Sequence, residues 1–200
     1  GRPLASAEGL FDPDGYRALS SDIVAHLVFA HQAGMTNLLT RASFGARAAE
    51  PLLHPPFTPS PDEDARIPSM MVGVASEVVD YMLFIDEARL TGQVRGGSGF
   101  AERFSKAGPR DRKGRSLREF DLNRRLMKYP CSYLIYSPAF DALPPLAKDA
   151  IYKRMWEVLS GQEQDPRYRA ALSLADRRGI VEILRDTKKD LPPYFQNVTR

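Results

Sequence analysis

Hydrophobic residues recur at helical spacing near the start of the chain. One set follows at intervals of four and three residues: Val24, Val28, His31, Met35, Leu38 and Ala42. Such a series lies on one stripe of an α-helix. The pattern predicts one long helix, or two helices joined near Gly34. Leu52 and the proline-rich "HPPFTPSP" end it, and we expect a loop from there to Asp64.

A second stripe is more regular. It alternates steps of four and three: Ile67, Met71, Val74, Val78, Tyr81, Ile85 and Ala88. This series predicts a helix that begins at Ile67, with Gly92 just past its end as a C-cap. Two amphipathic helices bury their apolar stripes most simply by packing on each other, so we expect an antiparallel helical hairpin over about 18–91.

The pattern then breaks in a stretch rich in glycine and basic residues. "GQVRGGSGFAERFSKAGPRDRKGRS" holds six glycines and seven basic residues, and its apolar Val94, Phe100 and Phe104 are too few to build a core. Residues 92–115 therefore predict a long Gly/Arg-rich loop. Loops of this length are unusual in compact domains and are often functional.

Capping signals predict helices in the C-terminal part, about 116–195. Ser116 and Glu119 form a capping box that predicts a helix to about Met127. Three more elements follow: a short buried helix at 132–136, a helix from Pro144 or Pro145 to Gly161, and a helix capped by Ser173 and Asp176. No stretch alternates with period two. The sequence predicts one all-α domain over 1–200, a helical bundle built on the hairpin.

Composition adds several exclusions. The chain has 200 residues, of which 43% are hydrophobic, and a single cysteine, Cys131. One cysteine allows no internal disulfide, no CxxC site and no CxxCH haem attachment. A run of 18 apolar residues is absent, so we expect no membrane insertion. Basic residues are scattered among carboxylates instead of clustered with aromatic residues, so we expect no nucleic-acid partner.

Charge is unevenly distributed along the chain. Residues 1–92 hold six arginines against twelve acidic residues, or −6, and the remaining 22 basic and 13 acidic residues give +9. The two parts should attract each other. Arg110, Arg112, Lys113 and Arg115 are candidates for binding an anion through charge-assisted hydrogen bonds. The alternative is a solvated loop that pairs with the acidic first part.

Soft metal or haem ligands are the other candidate chemistry. His26, His31 and Met35 are close in sequence, but a straight helix puts His31 and Met35 on the apolar stripe and His26 on roughly the opposite face. The simpler interpretation is a packed, hydrogen-bonded His31 beside a gap-filling Met35. Cys131 lies in an apolar, aromatic neighbourhood, which favours a buried structural thiol. We therefore assign no catalytic residue and no metal ligand.

Several long phrases carry a family resemblance. They include "GSGFAERF", "GPRDRKGRSLREFDL", "RRLMKYPCSYLIYSPAFDAL" and "LSLADRRGIVEILRDTKKDLP". Over most of residues 20–195 the chain resembles the C-terminal region of a group of larger, uncharacterised secreted bacterial proteins, some described as cytochrome c-like. The resemblance implies a fragment of a longer protein, periplasmic or secreted, in an electron-transfer context. Any covalent haem would then belong to a segment upstream of Gly1, and this chain would hold no cofactor.

These observations favour a non-catalytic helical module. It would dock onto, or shield a cofactor in, the upstream segment of the same protein, with redox proteins as further partners. One alternative is a haem- or metal-binding protein that uses His26, His31 and Met35. A second is a small-molecule sensor with an apolar pocket lined by Tyr133, Tyr136, Phe140 and Trp156.

Overall fold

A computed structural model describes residues 21–53 and 61–196, with side chains described from Ser69 onward in the second segment. The described residues form seven α-helices: α1 Ile23–Ala49, α2 Pro61–Met82, α3 Phe100–Lys106, α4 Pro138–Asp141, α5 Pro145–Ser160, α6 Pro166–Ala171 and α7 Leu174–Thr187. Three short 3₁₀ helices accompany them: Glu50–Leu53, Tyr133–Tyr136 and Pro193–Gln196. Within the described ranges no strand forms, and the prediction of an all-α chain is confirmed.

The first helix is continuous and begins at a side-chain cap. Asp22 Oδ1 accepts hydrogen bonds from the amides of Val24 and Ala25 at 2.9 and 3.1 Å, which satisfies two free donors of the first turn. The Ser98 hydroxyl donates to the same carboxylate and holds the Asp22 pKa down at about 2. The helix therefore starts at Ile23, and residues 18–20 of the expected hairpin lie outside the described ranges.

Helix α2 packs against both α1 and α5 and forms the centre of the core. The contacts that α2, and Phe84 just past its end, make with α1 come in opposite order along the two segments. His31 stacks on Phe84, Gly34 lies against Tyr81, and Arg41 pairs with Glu77. A Cβ atom at position 34 would lie 2.2 Å from Tyr81 Oη, so glycine allows this close approach.

The end of α2 differs from the sequence prediction. The helix begins at Pro61, inside the expected loop, and ends at Met82 instead of continuing past Ile85 to Ala88. The Ile85 amide donates to the Asp80 carbonyl at 2.9 Å and the Phe84 amide to the Tyr81 carbonyl at 3.3 Å. This pair of bonds is a Schellman motif, which requires a left-handed residue after the helix. Phe84 takes that conformation with φ 55°, and the expected C-cap at Gly92 is wrong.

Two predictions for residues 92–127 are also wrong. Helix α3 lies inside the expected loop because Phe104 is buried against the rings of Phe120 and Tyr133, 5.2 and 4.9 Å away. No helix follows the Ser116 capping box, although the Ser116 amide does donate to Glu119. Left-handed backbone at Leu122, φ 57°, is incompatible with a helix there.

The C-terminal helices follow their capping signals. Helix α5 begins at Pro145 and is ended by Gly161 in left-handed conformation, φ 83°. Helix α7 has a complete capping box between Ser173 and Asp176. The predicted short helix at 132–136 is present as a buried 3₁₀ turn. Sequence and structure agree here because each terminus is specified by local contacts.

The left-handed Phe84 leads to a stability prediction. At an ordinary helical position alanine is more stable than glycine, but at a left-handed position the order reverses because a Cβ atom costs free energy there. We expect Phe84→Gly to be more stable than Phe84→Ala by about 1 kcal/mol in chemical denaturation. Both variants should be less stable than the parent protein, since both lose the aromatic stack on His31.

Gly73 supplies the matched control. It lies inside α2, is exposed, and a Cβ atom there meets nothing within 4 Å. Gly73→Ala should therefore stabilise the protein by up to about 1 kcal/mol. If Phe84→Ala proved as stable as Phe84→Gly, the left-handed turn at the end of α2 would be contradicted.

Candidate functional site

His31 joins three parts of the chain. It is buried on α1, and its ring stacks on Phe84 with centroids 4.4 Å apart and on Tyr81 at 5.1 Å. Its Nε2 atom shares a hydrogen bond of 2.7 Å with the hydroxyl of Ser132. The Ser132 amide in turn donates to the carbonyl of Met82 at 2.8 Å. The imidazole therefore links α1, the end of α2 and the segment before α4.

Burial lowers the pKa of His31 to about 4. The imidazole is therefore neutral at pH 7, which suits a ring packed between aromatic side chains. Ser132 is fully buried and uses its hydroxyl oxygen to accept from the Leu134 amide as well. The Ser132 hydroxyl is thus enclosed, and the geometry of the pair is that of a structural junction.

The other two candidate ligands lie on different faces of α1. His26 is exposed, whereas Met35 is completely buried one turn beyond His31 on the inner face of α1. The structure brings His31 and Met35 to one face and leaves His26 outside it. The three residues do not converge on one point, so they do not fit a shared haem or metal ion. Among the described residues no three His, Cys, Asp or Glu side chains are grouped to hold a metal.

The basic residues of the 110–115 stretch pair with carboxylates. Arg112 bonds Asp186 at 2.8 Å, and Lys113 and Arg115 share Glu182 at 2.8 and 2.6 Å. These acidic residues lie on α7, in the basic part of the chain. The expected pairing of this stretch with the acidic first part is therefore wrong.

Two more contacts complete the pairing of this stretch. Arg115 also donates to Asp111, whose carboxylate side chain is fully buried. Arg110 donates to Glu119 at 3.2 Å and to the carbonyls of Ser105 and Gly114. The candidate anion-binding residues are thus already engaged, and they tie the 110–119 stretch to itself and to α7.

A cleft among the described residues lies beside His31. It has a volume of about 780 Å³ and is walled by α1, the end of α2 and the segment 83–90. Its lining is mainly apolar and aromatic, with His31 at one side, and includes Leu27, Leu38, Tyr81, Phe84, Ile85 and Leu126. A volume of this size is typical of small-molecule sites, which span roughly 300–1,000 Å³.

We call this space the apolar cleft. Most of the charged residues at its rim are paired. Glu77 bonds Arg41 at 3.0 Å, and Asp80 bonds Arg167 at 2.6 Å. Glu87 is different, because it is half-buried and, within the part of the chain that the structure describes, its Oε1 atom accepts the amide of Leu126, at 2.9 Å. Burial raises the pKa of the Glu87 carboxyl. A perturbed acid in a cleft is a frequent feature of functional sites.

The aromatic residues proposed for a sensor pocket are dispersed. Tyr133 and Phe140 are buried in the core, Tyr136 bonds Thr187, and Trp156 packs on Phe195 at 5.1 Å between centroids. None of the four lines the apolar cleft. The hydrophobic pattern does not predict the apolar cleft, because the wall of the cleft depends on where α2 ends.

The single cysteine of the chain is a core residue. Cys131 is fully buried, and burial raises its pKa to about 12, as expected for a structural thiol. No helix in the described ranges combines the length and apolar character needed to cross a membrane.

Comparisons with known protein families, with curated proteins and with solved structures found no match to this chain.

His31 makes stability depend on pH. Its folded pKa of about 4 lies below the ordinary value of 6.5, so between these pH values the unfolded chain binds a proton that the folded protein does not. Stability therefore falls as the pH drops from 6.5 to 4. This group alone should remove about 2 kcal/mol between pH 7 and pH 5. Urea unfolding at both pH values measures the loss.

Two histidine variants separate this contribution from the carboxylates. His31→Gln should show a smaller stability loss on acidification than the parent protein, while exposed His26→Gln should retain the full loss. An NMR titration of the parent protein gives a second measurement. A His31 ring that protonates near pH 6.5 would contradict the buried, neutral junction.

Proposed function

We propose that this chain is a non-catalytic helical module that binds a small, largely apolar molecule in the apolar cleft. The observation that carries the proposal is the cleft itself: about 780 Å³ of space with aromatic and aliphatic walls beside a fully packed core. Sites for organic ligands have this combination of volume and lining.

The non-catalytic part of the proposal rests on the nucleophilic groups near the cleft. Ser132 and Cys131 are both fully buried, and the Cys131 thiol has a raised pKa. An activated nucleophile needs access to substrate and a lowered pKa or an adjacent base. Ser132 has the base, His31, but no exposed surface, so its contact with His31 supports a positioning role.

An antiparallel hairpin of α1 and α2 within a helical bundle is the scaffold of this proposal. It is supported by the opposite order of contacts along the two helices, from His31 with Phe84 to Arg41 with Glu77. The cleft opens where the hairpin meets the segment 83–90. The ligand would therefore contact both helices, and its binding would stabilise their packing.

A neutral apolar dye tests the apolar cleft. N-phenyl-1-naphthylamine should bind saturably, with a rise in fluorescence, because the cleft removes the dye from water. Ala30 is exposed on α1 and lines the cleft, so Ala30→Trp should fill the space and weaken dye binding by roughly tenfold or more.

Ala48→Trp is the matched control for the dye experiment. Ala48 is also exposed on α1, eighteen residues further along and outside the cleft lining. The control should bind the dye like the parent protein. Equal binding by the two tryptophan variants, or no saturable binding by the parent protein, would remove the proposed function.

A second candidate function is docking onto a cofactor-bearing segment of a longer exported protein. It rests on the family resemblance and on one observation, the exposure of two aromatic side chains on α1: Phe29 is 70% and Phe44 71% exposed. Exposed aromatic residues are common anchors of protein interfaces. In this proposal haem would be held by the other segment, in an electron-transfer context.

Association with that segment, produced separately, tests the second candidate. The chain alone should show no Soret absorbance, and Phe29→Ser or Phe44→Ser should weaken association by roughly tenfold if these rings anchor the interface. The surface variant Thr40→Ser, on the same helix, should have no effect. Absence of any association would contradict the docking role and leave the apolar cleft untouched.

A further inference from the structure

A second cleft lies next to the apolar cleft and has a different chemistry. It has a volume of about 660 Å³ and shares part of its wall with the apolar cleft, including Phe84, Glu87 and Arg89. Five arginines from three separate segments line it: Arg89, Arg124, Arg125, Arg167 and Arg169. We call it the arginine cleft.

Three of these arginines already bind carboxylates. Arg124 pairs with Asp121 at 3.0 Å, Arg125 with Asp176 at 2.5 Å, and Arg167 with Asp80 at 2.6 Å. These pairs fix the positions of the guanidinium groups. A guanidinium carries five N–H donors, so an ion pair leaves donors over. Arg125 Nε, for example, is buried without a hydrogen-bond partner.

The other two arginines bind no carboxylate among the described residues. Arg169 donates to the neutral amide of Gln164. Arg89 has neither a hydrogen bond nor an ion pair with any residue in the described ranges. Two unneutralised guanidinium groups therefore line one cleft, in contrast to the 112–115 stretch, where every basic side chain is paired with a carboxylate.

Two acidic residues also line the arginine cleft, and both are engaged. Asp176 pairs with Arg125 and accepts hydrogen bonds from Ser173. Glu87 is half-buried and accepts the Leu126 amide through its Oε1 atom. Five guanidinium groups and two carboxylates line the cleft, so positive charge predominates in its lining.

Apart from the Ser173 hydroxyl, the rest of the lining is apolar. Leu90, Pro130, Ala170 and Ala171 contribute apolar side-chain surface. Such a surface favours a ligand with an apolar body, because removing the apolar surfaces of ligand and wall from water is favourable. Inorganic phosphate would contact the guanidinium groups but would leave the apolar wall exposed to water.

We infer that the arginine cleft binds an organic carboxylate, with its oxygens held by Arg89 and Arg169 and its apolar body against the wall formed by Pro130, Ala170 and Ala171. The planar fork of a guanidinium matches the two oxygens of a carboxylate. This site adjoins the apolar cleft and shares Arg89 with it, but it stands whether or not the apolar cleft binds a ligand.

A matched pair of probes tests the charge requirement. 2-Naphthoate and the neutral 2-naphthamide have the same ring system, and isothermal titration at low salt compares their affinities. We expect naphthoate to bind at least roughly fivefold more tightly than the amide, with the preference shrinking as salt screens the charges. Equal affinity of the two probes would overturn the inference, and so would inorganic phosphate that binds as tightly as naphthoate.

Arginine variants locate the anion. Arg89→Gln and Arg169→Gln should each weaken naphthoate binding by roughly five- to tenfold and leave naphthamide unchanged. Arg95→Gln is the control, because Arg95 is also exposed and also hydrogen-bonds a glutamine side chain, that of Gln93, but lies outside both clefts. Unchanged naphthoate binding in both cleft variants would overturn the assignment.

Filling each cleft in turn separates the two sites. Ala170 lines only the arginine cleft and Ala30 only the apolar cleft, and both are exposed. Ala170→Trp should block naphthoate and leave the neutral dye bound, while Ala30→Trp should do the reverse. Naphthoate that is lost with Ala30→Trp and retained with Ala170→Trp would place the carboxylate in the apolar cleft and overturn the inference. Loss of dye binding alone would bear only on the proposed function.

Discussion

The end of α2 at Met82 is the constraint on which both clefts depend. The helix stops because Phe84 turns left-handed and the amides of Phe84 and Ile85 satisfy the last carbonyls. The Met82 carbonyl, left over from the helix, accepts the Ser132 amide instead. The chain then continues as the segment 83–90, which lines both clefts. A straight continuation of α2 would remove the common wall of the two clefts.

A phenylalanine holds this turn at a position that usually needs glycine. The left-handed backbone costs about 1–2 kcal/mol for a residue with a Cβ atom. Stacking of Phe84 on the neutral ring of His31 offsets part of that cost, since offset aromatic pairs contribute about 0.5–1.5 kcal/mol beyond burial. His31 is kept neutral by burial and held by Ser132. The role of this histidine is therefore to stabilise a chain reversal, which explains its place on an apolar stripe.

Elements fixed by nearby residues could be predicted from the sequence, and elements fixed by distant ones could not. The stripe of α1, the termini of α5 and the capping box of α7 each depend on residues a few positions apart. The end of α2 depends on Ser132 and His31, far away in sequence, while Ile85 is buried whether or not the helix continues. The same limit applies to Ser116, whose capping contacts form but whose helix is prevented by the turn at Leu122.

Charge pairing decides which arginines remain able to bind a ligand, and the sequence does not contain that information. The densest basic stretch, with Arg112, Lys113 and Arg115, meets carboxylates of α7 and becomes a structural contact. Arg89 and Arg169 lie far apart in the sequence, yet the turn after α2 brings one to the same cleft as the other. Arginines without a carboxylate partner among the described residues therefore occur where the fold places no acid beside them, not where basic residues are most frequent. It follows that a change at Phe84 should alter anion binding as well as stability, because Arg89 is carried by the segment that Phe84 positions.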